Sequence, residues 1–134
     1  MKSRFFLAVV GALAALPACT TSAGTDVVVA GDGTLTVDWT IGDAKDPRDC
    51  RDEAADSIDI VVTDPGGGVV GEFNDVCEAF ATSISLAPGS YSGDATLLST
   101  GGNPRTTAVD LGPFTIYGND ELVVPIDFPL DSFF

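Results

Sequence analysis

The sequence predicts an all-β fold, a single antiparallel sandwich of seven or eight strands. Three observations predict it. Apolar and polar residues alternate over short segments, Gly, Pro and Asn cut those segments at regular intervals, and only the stretch near 47–55 departs from that rhythm. A period of two sends successive side chains to opposite faces, one into a core and one into water.

Val27 to Ala30 is apolar and is broken by Gly31-Asp32-Gly33. Leu35, Val37, Trp39 and Ile41 then alternate with Thr36, Asp38 and Thr40, which makes the next strand. Ile58, Ile60 and Val62 repeat the pattern with Asp59 outward, and Pro65-Gly66-Gly67-Gly68 turns the chain into a returning segment, 69–74. Phe80, Thr82, Ile84 and Leu86 follow, then Tyr91, Gly93, Ala95 and Leu97. Beyond the turn Gly101-Gly102-Asn103-Pro104 come Thr107, Val109 and Leu111, then Phe114 and Ile116. Leu122, Val124, Ile126 and Phe128 make the last strand. Phe133 and Phe134 are expected to fold back over an open end of the core, or, if left exposed, to dock a partner.

The exceptional stretch starts with Asp46-Pro47-Arg48-Asp49, a helix-start signature. Asp46 is placed to accept backbone N–H groups, and Pro47 has the backbone angle that the first helical position requires. A short helical turn near 47–55 is predicted, with Arg48 and Asp52 four apart on one face and able to pair. Cys50 rides on this turn.

Lys2 and Arg4 precede an apolar run from Phe5 to Leu16, which is closed by Leu16-Pro17-Ala18-Cys19. Positive charge, a short apolar core and then small residues is the order of a secretion signal. The run is shorter than the roughly 20 apolar residues that span a bilayer. Its ending resembles the lipobox of bacterial lipoproteins. The resemblance implies that residues 1–18 are removed as a signal peptide, and that Cys19 becomes the first residue and carries acyl chains such as palmitate. An ordinary signal peptide cut near Ala18 or Ala23 is the alternative, in which no acyl chain is attached at Cys19. More than one acyl chain gives stable mooring, since a single chain is marginal. Residues 19–25 then form the lipidated cysteine and a short polar tether, and 26–134 the sandwich domain. Thr20 follows the cysteine. By the sorting rule of enteric lipoproteins, which retains those with Asp there in the inner membrane, the outer membrane is favoured as the location.

With Cys19 assigned to lipid, Cys50 and Cys77 remain in an oxidising compartment, and an even remainder in a small exported domain is read as a disulfide. Closing that loop removes unfolded-state entropy worth roughly 3 to 4 kcal/mol. A two-thiolate metal site lacks partners, because the chain has no histidine and no third thiol to spare.

The hexapeptide Leu86-Ala87-Pro88-Gly89-Ser90-Tyr91 resembles the Leu-x-Pro-Gly-x-Tyr step of transthyretin-like modules, including carboxypeptidase regulatory-like and collagen-adhesin B-type repeats. The likeness implies a sandwich of the immunoglobulin-like or transthyretin-like kind, in families that are mostly accessory or adhesive rather than catalytic. Physically, Pro88-Gly89 makes the turn, while the Tyr91 ring caps the core and its hydroxyl finds a backbone partner.

The chain carries 20 acidic and 6 basic residues, for a net charge of −14. Taking away Lys2 and Arg4 with the signal makes it −16. Such a surface repels nucleic acid and anionic headgroups, and favours cations or a basic partner. With no histidine, the residue closest to neutrality in its titration is missing, and no Gly-x-Ser-x-Gly motif surrounds a serine. Carboxylates are so numerous that any pair of them is uninformative as a glycosidase signal.

The remaining candidate site is the acidic segment Asp43, Asp46, Asp49, Asp52, Glu53, Asp56. Its oxygens suit calcium, but its three-residue spacing differs from an EF-hand loop, and Lys45, Arg48 and Arg51 interleave with it. Asp26, Asp32, Asp120 and Glu121 read as turn residues. Trp39 falls on the apolar face of its strand and is expected to plug the core rather than hold a sugar. The sequence thus predicts a non-catalytic, lipid-anchored envelope protein that works as a structural or interaction module with another envelope or extracellular protein. The rival is a ligand-binding protein, with calcium at 43–56 or a saccharide on a sheet face.

Overall fold

The computed structural model of the chain describes residues 31–134, so the signal segment, Cys19, the tether and the apolar 27–30 segment lie outside the described residues. Eight strands form two packed sheets. In the first, β1 (Gly33–Ile41) lies between β4 (Ala81–Leu86) and β8 (Glu121–Phe128). The second runs β3 (Val69–Val76), β2 (Ser57–Thr63), β5 (Gly89–Leu98), β6 (Val109–Asp110), and β7 (Phe114–Ile116) pairs farther along β5.

The alternation read from the sequence is strictest in β1 and β2. Leu35, Val37, Trp39 and Ile41 are buried, as are Ile58, Ile60 and Val62, while the residues between them are half-buried. These side chains meet Ile84, Leu86, Ala95, Leu97 and Phe128 in one core. Each large apolar side chain buried there stabilises the fold by about 1.5 to 3 kcal/mol.

One pairing departs from the antiparallel expectation: β8 lies parallel to β1, with Leu35 opposite Leu122 and Ile41 opposite Phe128. A tight hairpin forces its two strands to run antiparallel, but β8 enters from β7 in the other sheet and is under no such constraint.

The 107–116 region also differs from its reading. Thr106, not Thr107, is buried, and its Oγ1 accepts a hydrogen bond from the Leu97 N–H at 3.1 Å. Inward positions change from the odd-numbered Leu111 to the even-numbered Phe114 and Ile116. The extra residue is absorbed at Gly112, whose φ of 74° suits glycine, and the register moves by one between Asp94↔Asp110 and Tyr91↔Phe114.

The helix α1 (Pro47–Asp52) is shorter than the predicted 47–55 turn. Asp46 caps it, accepting the Arg48 N–H at 2.9 Å. Arg48 pairs with this cap carboxylate at 2.8 Å rather than with Asp52, because the cap already holds the carboxylate beside the guanidinium. Cys50 and Cys77 form the expected disulfide, with a sequence separation of 27 and Cα atoms 6.1 Å apart. Beside it, Arg51 meets Glu78 at 2.9 Å, a second tie between α1 and the 3-10 turn Cys77–Ala79.

Trp39 is fully buried, as its register requires, and its Nε1–H donates to the Cys77 carbonyl at 3.0 Å. Phe80 was read as the first inward residue of a strand. It lies instead just before β4 in the left-handed region, φ 58°, where it ends the 3-10 turn and buries its ring 6.4 Å from that of Trp39. The Tyr91 hydroxyl donates to the Ala87 carbonyl at 2.6 Å, the partner its motif predicts, and its ring stacks on Phe114 with centroids 5.9 Å apart. Of the two terminal aromatics only Phe133 packs against the core, while Phe134 is exposed. The backbone bridge between Thr106 and Phe133 fixes the first and leaves the second beyond it.

Candidate functional site

The acidic segment is spread out by the element it sits on. Asp43 lies in a turn with φ 66°, and its N–H donates to Asp127 Oδ1 at 2.8 Å. Asp46 is taken by Arg48, whose hydrogen bonds hold the Asp46 carboxyl below its ordinary range. Asp49 sits half-buried in the first turn of α1 and Asp52 lies exposed at its end. Lys45 turns away to Asp38 at 2.6 Å. Among the described residues no three carboxylates converge as metal ligands would, so Asp43, Asp46, Asp49 and Asp52 are not brought together. Cys19, the predicted lipidation site, lies outside the described residues.

The sequence reading missed a second acidic surface, because its members are far apart in the chain. On the outer face of the second sheet, Val61 of β2 lies opposite both Glu72 of β3 and Asp94 of β5, and Asp94 lies opposite Asp110 of β6. Asp59 sits two residues along β2, opposite Asn74, which donates to it at 3.1 Å. Burial and the neighbouring Glu72 carboxylate raise the Asp59 pKa above 3.8. The described ion pairs use Lys45, Arg48 and Arg51 elsewhere, and Arg105 donates to the Glu53 carbonyl. Among the described residues no basic side chain compensates this face.

Among the described residues the face ends at β3, an edge strand of eight residues paired only with β2. In an antiparallel ladder every second residue turns its N–H and C=O away from the partner, so one side of β3 is a row of donors and acceptors that β2 leaves unpaired, save the Val76 N–H, which donates to Asp75 Oδ1 at 2.8 Å. Val69, Val70 and Val76 along it are 66%, 45% and 58% exposed. The ring of Phe73, half-buried against the core, lies over Gly71, where a side chain would collide with it. Other edges are blunted where β8 carries Pro125 and where β6 and β7 have only two and three residues, while β4, the six-residue edge of the first sheet, has no proline and presents Ala81, Ser83 and Ser85.

The surface depressions are modest. One of 390 Å³ lies beside α1, between Arg51, Ala55 and Ser99, and one of 220 Å³ lies between Ile116, Tyr117 and Leu122. No helix among the described residues is long and apolar enough to cross a membrane.

No protein-family model matches the sequence, and no curated protein matches it. Among solved structures, the chain is similar to part of a leucine-rich repeat protein from Bacteroides thetaiotaomicron. The two are 13% identical with a TM-score of 0.49 over 72% of this chain and 12% of that one. The likeness is too distant to bear on function.

Proposed function

We propose that the protein is a non-catalytic lipoprotein of the cell envelope, moored through acyl chains on Cys19 to the outer membrane, and that it works as a structural or protein-interaction module. The β3 edge carries this reading: it combines backbone that β2 leaves unpaired with the exposed valines Val69, Val70 and Val76. The Cys50–Cys77 disulfide supports export, because such bonds persist in oxidising compartments, and it leaves Cys19 as the remaining sulfur.

Two measurements test the reading. Radiolabelled palmitate should enter the protein in intact cells, and Cys19→Ala should abolish the label and release the protein from the membrane fraction. A photo-crosslinking residue placed at Val76 or Val123 should capture another envelope protein. Unlabelled protein, or no crosslink from either position, would remove the corresponding half of the reading.

A further inference from the structure

We propose that β3 is a strand-addition site for an extended, basic segment of another envelope protein, one that alternates basic and apolar residues. The inference rests on the interaction-module reading and names the chemistry of the partner.

The mode follows from the backbone. β3 is free of proline, and beyond the register shift at its start, where Thr63 lies opposite Val69, its six residues from Gly71 to Val76 are a regular row on which an added strand extends the β3-β2-β5 sheet. The identity of the occupant follows from charge. Glu72 and Asp75 lie on β3 itself, with Asp59, Asp94 and Asp110 on the same sheet. A second copy of this acidic chain would bring a strand carrying Glu72 and Asp75 beside an identically charged one. Like charges across strands destabilise the pair, so the charge that blocks self-pairing selects a basic partner.

Side-chain register completes the description. Glu72 and Asn74 point to the outer face, so the added strand places its basic residues there, against Glu72. Its alternate residues point inward, where Phe73 and Gly71 form an apolar shelf at the core margin. A cation beside Glu72 also relieves the crowding between Glu72 and Asp59.

The test uses the full chain in neutral detergent and a blocked octapeptide of alternating lysine and valine, titrated by calorimetry. The expected result is saturable one-to-one binding. Affinity should weaken by roughly tenfold when alternate peptide nitrogens are methylated, which removes the donors the ladder needs. It should also weaken as salt rises from low to high ionic strength. Glu72→Lys, an exposed change that removes a like-charge contact, should reverse the preference toward a glutamate–valine octapeptide.

Equal binding of the methylated and unmethylated peptides would overturn strand addition and leave diffuse attraction. No binding of the lysine–valine peptide would overturn the basic partner, and a dimer in sedimentation would overturn it in favour of a second copy. A photo-crosslink captured from Val123 alone would then keep the interaction-module reading while this inference fails.

Discussion

Trp39 joins the first strand to the disulfide end of the molecule, through a buried ring and an indole N–H on the Cys77 carbonyl. Trp39→Phe should lower unfolding free energy by about 2 kcal/mol in urea, because it both shrinks the core and leaves the Cys77 carbonyl with only the longer bond from the Phe80 N–H, 3.4 Å. Its position on the apolar face was legible from the alternation of β1. The acceptor was not, since Cys77 is 38 residues away. Asp59 carries the opposite kind of strain. Its native pKa lies above the ordinary 3.8, so the folded state holds the proton more tightly than the unfolded chain does. Stability therefore falls as pH rises from 3.8 through the raised native value, and stays lower above it. Asp59→Asn should raise the melting temperature at pH 7, with the gain vanishing below pH 3.8.

At the scale of elements, α1 shows how far local chemistry reaches. The Asp46 cap and Pro47 fix where the helix starts, and both are visible in four consecutive residues. Past Asp52 the turn continues as predicted, with the Ala54 N–H on the Arg51 carbonyl and the Ala55 N–H on that of Cys50, but nothing local reveals that Ala54 turns left-handed, φ 56°, to bring the chain into β2. The disulfide holds this element down: its two sulfurs come from fully buried residues of α1 and the 3-10 turn. The double variant Cys50→Ala, Cys77→Ala should lose about 3 to 4 kcal/mol of stability, read from the urea midpoint by Trp39 fluorescence. A loss well under 1 kcal/mol would mean that the unfolded chain is already compact. The edge strands divide in the same way. Pro125 suits β8 to the edge position that it takes beside β1. That β3 is also an edge depends on β2 having β5 as its second neighbour.

For the whole molecule, the scattered placement of Asp43, Asp46, Asp49 and Asp52 predicts that millimolar calcium leaves the melting temperature unchanged, since a ligand bound only by the native state must raise it. A saturable rise would mean that the acidic segment gathers around the ion. The amino-acid sequence by itself determined what is periodic or covalent: the all-β class, the core faces of β1 and β2, the helix start, the cysteine pair and the Tyr91 turn. These follow from side-chain alternation and nearest-neighbour chemistry, which need no knowledge of distant contacts. Only the tertiary structure decided the parallel entry of β8, the phase change at Gly112, the acidic outer face and the open β3 edge. Each of these depends on which segments become neighbours across the sheets, and that is set by burying all the apolar faces together rather than by any one of them.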